Sequence, residues 1–525
     1  MKIQLLVIVL SAVLMPCPAL SQKSKTHILT TDEAKIVKKD GSALFTAGDY
    51  KGALKSYGDL VLADGNNPEY NYRLGYSMLM ASGQKAKALE LIRKAMANAN
   101  AKKEWVYGLA QALQANLLFD DAIKEYEKFI VSGVKLSKDQ VSAAQCITQC
   151  QSAREIIKDK KDLTFENPGK IINTPFEEYN AFTSADGKTI AYASRRKGNM
   201  GGYIEELGIY TADVYWTFFK DTAWSKSKST GAGINTEWDE EITGLSSMGD
   251  QATLMFDNFE AFGDIGTSNL KGKTWQKYLI LPSMINTKAI ENGAAMSGNG
   301  TIMIFSRETK EGKLDLFYST RQPGGIWKEA QKMPAPINTK EDEDAPWLSF
   351  DGNTLFYSSK GLGGFGGYDI FQSNYDEGTK TWSNPININF PINNFDDNLY
   401  ISFTGNNRTA YVTQMREGGT GDKDIWRINF TAPVYQPFKS IVKGSVVMAA
   451  GSTGKPDLNA AFLLNENGKP VANFYPIANT TEFVLAAPAG NYILQLKGNN
   501  FNDYKTPITL NDEDIFKTFE VNMAK

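Results

Sequence analysis

A hairpin pattern that recurs along the chain constrains the fold more than any other feature of this sequence. The stretches 184–192, 297–305 and 349–357 each contain an Asp-Gly or Asn-Gly turn beside alternating strand residues. Less regular copies occur at 247–250 and 402–406. One hairpin written repeatedly predicts an all-β region built of similar units rather than one irregular domain.

Each hairpin is followed by two further strand signals, so the repeating unit contains four strands. The third strand begins at an aspartate followed by apolar residues, and the fourth carries a tryptophan that precedes an Ile-Asn pair. The aspartates are Asp213, Asp264, Asp315, Asp369 and Asp424, and the tryptophans are Trp224, Trp275, Trp327 and Trp382. Units of four strands and roughly 50 residues, which bury their faces only against their neighbours, predict a β-propeller.

Five copies of the unit predict five blades over residues 163–432, and a six-bladed ring with one unrecognisable blade is the alternative. The pair Ile172-Asn173 has no tryptophan unit before it, so we expect 163–172 to complete the last blade and close the ring. The units resemble the TolB-like propeller repeats called PD40, which are similar to WD40 repeats, on the stretches 351–359 and 366–371.

Residues 30–160 have apolar residues at helical spacing and contain a second repeat. The small residues Ala53, Ala88 and Ala122 are separated by 35 and 34 positions, and each is followed four residues later by a large apolar residue. This segment resembles tetratricopeptide repeats (TPR), an α-solenoid whose concave face binds peptides or proteins. The aromatic residues Tyr57, Tyr126 and Trp105 are interpreted as interhelix packing.

Residues 438–525 read as short strands with turns, which predicts a small β-sandwich. The Val-Lys-Gly start at 442–444, the Gly-Lys-Pro turn at 454–456 and the corner at 488–492 resemble the carboxypeptidase regulatory-like domain, which is not catalytic. The proline-containing run 433–437 is the expected linker. The predicted fold class is therefore multidomain, α plus all-β.

The first 21 residues have the charge, apolar core and small residues of a secretory signal peptide. No other stretch reaches the roughly 20 apolar residues that a transmembrane helix needs. We therefore expect an exported protein whose mature part has no transmembrane helix. Cys17 raises the alternative of a lipoprotein, but Pro16 stands where a lipobox has a small residue.

The composition argues against most catalytic and nucleic-acid-binding functions. The chain has one histidine, His27, in 525 residues, and imidazole is the usual general base near neutral pH. The net charge is −3, which provides no field for attracting nucleic acid. No nucleophile elbow or phosphate loop is present, so we expect neither an enzyme nor a cofactor or resident metal site.

Aligning the five units on their turns puts an acidic residue eight positions before each turn. These residues are Glu178, Glu240, Glu291, Glu343 and Asp396, with additional acids at Glu177, Asp239, Glu241, Asp344 and Asp397. The favoured interpretation is an internal staple in which each carboxylate accepts backbone N–H groups. The alternative is a ring at one channel mouth that binds a cation, with Ca²⁺ the best match to oxygen ligands, or the basic segment of a partner.

The domain order resembles that of the peptidoglycan-associated outer-membrane proteins (PorE type) of the Bacteroidetes type IX secretion machinery. The resemblance implies a periplasmic scaffold that binds envelope proteins and associates with the outer membrane through them, in type IX secretion or a related outer-membrane complex. That family also carries an OmpA-like peptidoglycan-binding domain, which is not recognised here, so an OmpA-domain protein is an expected partner. The alternative function is a propeller that senses a glycan, a peptide or Ca²⁺ at its acidic mouth. The sequence does not predict the oligomeric state.

Overall fold

The computed structural model of this chain describes residues 29–137, 140–202, 204, 209–258, 261–322, 325–376, 378–435, 440–448, 456–474, 481–511 and 516–523. The predicted signal peptide, Cys17 and His27 lie outside the described residues. None of the described helices combines the length and the apolar character that a membrane crossing requires.

Seven helices form the N-terminal region, and polar residues begin several of them. They are α1 (Thr31–Thr46), α2 (Tyr50–Ala63), α3 (Pro68–Ala81), α4 (Lys85–Met96), α5 (Trp105–Ala115), α6 (Phe119–Ser132) and α7 (Ala143–Ile156). Thr30 and Glu33 form a capping box at α1, and Asn67 caps α3 ahead of Pro68. The seven helices form a TPR-like array, in which consecutive helices pack against each other.

The repeat alanines lie where two helices cross, as the sequence predicts. Ala53, Ala88 and Ala122 are fully buried. A Cβ atom on Gly75 of α3 would lie 2.9 Å from the carbonyl oxygen of Ala88 on α4. A side chain at Gly75 would therefore force the two helices apart.

The β-rich region begins at β1 (Leu163–Glu166) and continues as five antiparallel sheets, one for each sequence unit. Sheet 1 contains β2 (Glu178–Thr183), β3 (Thr189–Ser194), β4 (Asp213–Lys220), β5 (Ala223–Trp224) and β6 (Lys228–Ser229). Sheet 2 contains β7 (Asp239–Leu245), β8 (Gln251–Asp257), β9 (Asp264–Lys271), β10 (Thr274–Trp275) and β11 (Leu279–Ile280). Sheet 3 contains β12 (Glu291–Met296), β13 (Ile302–Glu308), β14 (Leu314–Thr320) and β15 (Gln331–Lys332).

Sheet 4 contains β16 (Glu343–Leu348), β17 (Thr354–Ser359), β18 (Asp369–Asp376), β19 (Thr381–Trp382) and β20 (Ile386–Asn387). Sheet 5 contains β21 (Ile401–Phe403), β22 (Thr409–Gln414) and β23 (Asp424–Phe430), with β1 as its fourth strand. The pairing of β1 with β23 confirms that the segment starting at 163 completes the last unit, although the strand ends at Glu166.

The first strand of each sheet contacts the neighbouring sheets, so the sheets follow one another around a closed, propeller-like ring. Strand β2 packs against β7, β7 against β12 and β12 against β16. Trp347 and Phe403 join sheets 4 and 5 with ring centroids 5.3 Å apart, and β21 and β22 return to β2. The large inner side chains between sheets form the core of this region.

Buried asparagines hold the loop that leads from each sheet to the next by hydrogen bonds. In each Ile-Asn pair the asparagine side chain accepts the backbone N–H of a third-strand residue and donates to the same residue's carbonyl. The pairs are Asn235 with Val214, Asn286 with Ile265, Asn338 with Leu316 and Asn393 with Ile370. The remaining asparagine, Asn173, makes the same two bonds, both 2.9 Å, to Ile425 of sheet 5. Ring closure therefore uses the same contact that holds each individual unit.

Two small sheets follow, built from β24 (Ser440–Met448), β25 (Leu458–Leu464), β26 (Pro470–Phe474), β27 (Glu482–Ala487), β28 (Gly490–Gly498), β29 (Tyr504–Leu510) and β30 (Phe516–Met523). One sheet has the order β27-β24-β30 and the other β26-β25-β28-β29. Their buried side chains share one hydrophobic cluster. Within the connection before β24, Tyr435 is buried against Trp347, Phe356 and Phe403, so this part of the linker is packed on the ring.

Candidate functional site

Four of the five predicted acidic residues occupy one equivalent, buried position at the start of an innermost strand. Each accepts two hydrogen bonds from the threonine four residues earlier, one from its backbone N–H and one from its hydroxyl. The pairs are Glu178 with Thr174, Glu240 with Thr236, Glu291 with Thr287 and Glu343 with Thr339. These carboxylates are fully buried and bind the Ile-Asn-Thr turn that precedes their own strand.

The four glutamates differ in their third partner. Glu178 also binds Ser194 and Arg196, whose guanidinium lies 3.2 Å from its carboxylate. Glu291 pairs with Arg307 at 2.6 Å, and Glu343 accepts the Ser359 hydroxyl at 2.7 Å. For Glu240 the described contacts are those to Thr236, and burial raises its pKa to about 7.

The equivalent of these glutamates in the fifth unit is Asn398, which corrects the assignment of Asp396 to that position. The amide of Asn398 donates to the carbonyl of Asn394, four residues earlier, and Tyr400 has a positive φ of 54°, as Asn180 and Ala345 have at the matching positions. The turn aspartates, such as Asp186, correspond to Asn406 here. Counting eight residues back from Asn406 reaches Asn398. The sequence alignment placed the turn two residues too early, and it therefore assigned Asp396 to this position.

Asp396 instead contacts the helical region. Its carboxylate lies 2.7 Å from Nζ of Lys85, the first residue of α4, and both side chains are largely buried. Burial raises the pKa of Asp396, and the Lys85 ammonium opposes that rise. The five predicted residues therefore do not form one ring: four are internal and the fifth is an interdomain contact.

Side chains from the first or second position after these glutamates form hydrogen bonds between neighbouring sheets. Tyr179 and Asn180 of sheet 1 donate to Glu241 of sheet 2 at 2.8 and 3.1 Å. Asn292 of sheet 3 donates to Asp344 of sheet 4 at 2.8 Å. Burial raises the pKa of both carboxyl groups. Within the described residues, no three acidic, cysteine or histidine side chains are arranged to hold a metal ion.

The helical region docks on the β-ring along the ends of its helix pairs. Phe365, in the glycine-rich loop between β17 and β18, is buried in the helical core beside Phe119. Its carbonyl accepts a hydrogen bond from Nε2 of Gln114 at 2.9 Å. The carbonyl of Gly366 accepts one from Nε2 of Gln149 at 2.5 Å. These two amides come from α5 and α7, so successive helix pairs contact one loop.

Four further contacts extend this interface. Asn389 donates to the carbonyls of Ile156 and Asp159 at 2.7 and 2.6 Å, where α7 ends. Lys51 at the start of α2 pairs with Asp422, and Lys85 with Asp396. The interface therefore runs along the helical region from α2 to the end of α7.

An aromatic pocket of about 260 Å³ is lined by residues of the helical region. Tyr72 and Trp105 stack in parallel in its wall, with ring centroids 4.6 Å apart and 9° between the planes. Tyr76 lies beside Phe45 and Tyr50 at 5.8 and 5.4 Å. The loop after α6 forms the opposite side through Val134, Lys135, Leu136 and Gln140.

The charges around the aromatic pocket are mostly positive. Its lining includes Arg73, Lys102 and Lys135, against one acid, Glu104. Arg73 forms an ion pair with Glu69 at 3.0 Å and donates a hydrogen bond to the Tyr57 hydroxyl at 2.6 Å. Lys102 and Lys135 are exposed, which leaves them accessible to a bound anion.

A second pocket, of about 320 Å³, lies at the junction of the two regions and is called the junction pocket here. From the helices it is lined by Met80, Gln111, Gln114, Val141, Cys146 and Gln149. From the ring it is lined by residues of sheets 4 and 5 and their loops, including Asp396, Asp397 and Lys423. Sequence patterns do not predict it, since its two walls are more than 200 residues apart in the chain.

No protein family model matches this sequence, and no curated protein matches it significantly. The helical region is structurally similar to TPR domains and the β-rich region to TolB-like β-propellers. A crystal structure of TolB from Acinetobacter baumannii has 12% identity and a TM-score of 0.31, and the match covers 60% of this chain and 62% of TolB.

Two other solved structures match one region each. The first TPR of Spaghetti (RPAP3), bound to the HSP90 peptide SRMEEVD, has 20% identity and a TM-score of 0.20, and the match covers 24% of this chain and 98% of that domain. The α-L-arabinofuranosidase PaAbf62A from Podospora anserina, in complex with cellotriose, has 10% identity and a TM-score of 0.35. That match covers 53% of this chain and 98% of the enzyme. These similarities concern the fold of each region.

Proposed function

We propose that this chain is a non-enzymatic scaffold of the bacterial periplasm that binds other envelope proteins. In this proposal a TPR solenoid, a five-bladed PD40-type propeller and a carboxypeptidase regulatory-like sandwich act as one platform. The setting is type IX secretion or a related outer-membrane complex, with an OmpA-domain protein among the expected partners. The observation that carries the proposal is the aromatic pocket, whose lining residues all belong to the helical region.

Packing and charge both support protein binding at this pocket. Aromatic side chains held in a rigid wall provide apolar contact area at a low entropy cost, and such residues dominate binding energy at protein interfaces. Here Tyr72, Tyr76 and Trp105 are already fixed by neighbouring rings. The exposed Lys102 and Lys135 add positive charge at the rim, which favours an acidic segment of the partner.

The test is crosslinking in the native envelope, followed by identification of co-purified proteins by mass spectrometry. We expect the wild-type chain to recover secretion-machine components or an OmpA-domain protein. The variant Lys102→Glu/Lys135→Glu should reduce that recovery about tenfold, which corresponds to roughly 1.4 kcal/mol of binding energy. The matched control is Lys55→Glu/Lys87→Glu, which reverses two exposed charges on α2 and α4.

Two outcomes would contradict the proposal. Recovery of the protein without any partner would contradict the scaffold function. Equal recovery of partners with both double variants would show that the aromatic pocket does not bind them. Circular dichroism of each variant establishes that the exposed substitutions leave the fold intact.

A second candidate function is a propeller that senses a small polar ligand. Glu241 favours it, because its carboxylate is partly exposed and accepts hydrogen bonds from Tyr179 and Asn180 of the neighbouring sheet. Calorimetry with glycans, peptides and Ca²⁺ would test it. Binding that is lost in Glu241→Gln and kept in Glu308→Gln would favour the sensor over the scaffold.

A further inference from the structure

The aromatic pocket and the junction pocket are consecutive parts of one groove along the helices. On α3, Tyr72 and Tyr76 line the first pocket and Met80 lines the second, and these residues are four positions apart on one helix face. On α5, Trp105 lines the first pocket and Gln111 the second. The same two helices therefore carry both pockets.

Hydrogen-bonded side chains lie where the two pockets meet. The Tyr76 hydroxyl donates to Oε1 of Gln111 at 3.0 Å, and the Tyr107 hydroxyl donates to the carbonyl of Val141 at 2.7 Å. Gln140 lines the first pocket and its neighbour Val141 the second. A chain that passes over this boundary can therefore occupy both pockets.

The length of the groove matches a short extended peptide. Tyr72 and Met80 are eight residues apart on α3, which corresponds to about 12 Å at a rise of 1.5 Å per residue. An extended chain advances about 3.3 Å per residue, so roughly four residues span that distance. A side chain in the aromatic pocket and one about four positions along the same peptide would reach both pockets.

The charge changes sign along the groove. The charged side chains that line the junction pocket are Asp396, Asp397 and Lys423. These two acids and one base leave an excess of one negative charge, whereas the lining of the aromatic pocket has three bases and one acid. Asp397 accepts the backbone N–H of Tyr368 at 2.9 Å and forms no ion pair among the described residues.

We propose that one extended segment of a partner protein occupies both pockets, so that the helices and the β-ring bind the same peptide. The segment has an acidic and aromatic portion in the aromatic pocket and a basic side chain, about four residues away, facing Asp397. This inference rests on the proposed function, since it specifies how the scaffold recognises its partner.

The experiment places a photo-crosslinking amino acid in the full-length chain in its native envelope. One variant carries it at Leu136 in the aromatic pocket and another at Met80 in the junction pocket. A control carries it at Leu62, an exposed residue on α2. Mass spectrometry then identifies the crosslinked residue of each partner peptide.

We expect both positions to crosslink the same partner segment, at residues about four apart, with a basic residue nearest to Met80. Asp397→Asn, which keeps an acceptor for Tyr368 and removes the charge, should lower the Met80 yield several-fold. Crosslinks from Leu136 alone, or to different proteins from the two positions, would overturn the single-segment proposal and leave the scaffold function standing. Yields at both positions equal to that at Leu62 would overturn both.

Discussion

At the scale of single residues, a buried glutamate binds the turn before its strand in four units, but the group that faces its carboxylate differs from unit to unit. Glu178 and Glu291 face a guanidinium, Glu343 a hydroxyl, and Glu240 the threonine of its own turn. A buried carboxylate without a nearby cation favours its protonated form, because desolvation penalises the charge. This explains why the pKa of Glu240 rises to about 7.

The raised pKa predicts that Glu240 lowers stability at alkaline pH. Between its usual pKa of 4.5 and about 7, the folded state binds more protons than the unfolded state, so the free energy of unfolding falls as pH rises. The total effect is about 3 kcal/mol, from 1.36 kcal/mol per pKa unit. Glu240→Gln should therefore raise the free energy of unfolding at pH 8 by about 1–3 kcal/mol and flatten its dependence on pH below 7.

The matched control is Glu178→Gln, at the equivalent position beside Arg196. This change leaves a largely buried guanidinium without its counter-charge and should destabilise the protein by about 1–3 kcal/mol. Chemical denaturation between pH 4.5 and pH 8 checks both expectations. Equal destabilisation by the two variants at pH 8 would contradict the account.

At the scale of elements, the glycine-rich loop between β17 and β18 positions the helical region. Gly364 approaches Asp369 so closely that a Cβ atom would lie 1.9 Å from its carboxylate, and Gly363 has a φ of 76°. Asp369 accepts the backbone N–H of Phe365 at 2.8 Å, and burial raises the pKa of Asp369 to about 8. The loop is thus shaped to present Phe365 to the helices.

Truncating this side chain should weaken the docking of the two regions. Phe365→Ala removes a ring that is 1% exposed, and such truncations cost about 3–5 kcal/mol. We expect faster proteolysis near residues 157–162 and a lower unfolding midpoint. The control is Phe262→Ala, whose ring is 65% exposed and which should change neither. Unchanged proteolysis in Phe365→Ala would contradict the role of the loop.

At the scale of the whole molecule, the helical region and the β-ring are joined by charged pairs in addition to apolar contacts. Lys85 and Asp396 are partly buried at 15% and 17% exposure, which strengthens their interaction relative to a surface pair. The pair also lies beside the junction pocket. The same contact therefore supports both the domain arrangement and the proposed groove.

A charge-swap cycle measures this contact. Lys85→Glu and Asp396→Lys should each lower the free energy of unfolding, and the double variant should recover a coupling energy of about 1–3 kcal/mol. The surface pair Lys124 and Asp121, whose side chains are 66% and 55% exposed, should show less than about 0.5 kcal/mol when treated in the same way. Small-angle scattering of each variant reports whether the regions separate. A coupling energy near zero for Lys85 and Asp396 would contradict the account.

Local patterns in the sequence determined the secondary structure and its repeats. The alanines at 53, 88 and 122 and the Asp-Gly or Asn-Gly turns act through neighbours a few residues away, so their spacing alone predicted helix pairs and hairpins. The pattern Ile-Asn-Thr with a glutamate four residues after the threonine is equally local. In the fifth unit the residues are Ile392-Asn393-Asn394, and the same spacing leads from Asn394 to Asn398 rather than to Asp396.

Tertiary structure decided which of these residues serve the core and which face a possible partner. Whether Asp396 lies in a ring or meets Lys85 depends on residues about 300 positions apart, and no periodicity records such a distance. The junction pocket and the burial of Phe365 depend on the docking of the helical region against the β-ring. Sequence patterns predict contacts made within a helix or hairpin, whereas contacts between such units depend on shape complementarity that emerges after folding.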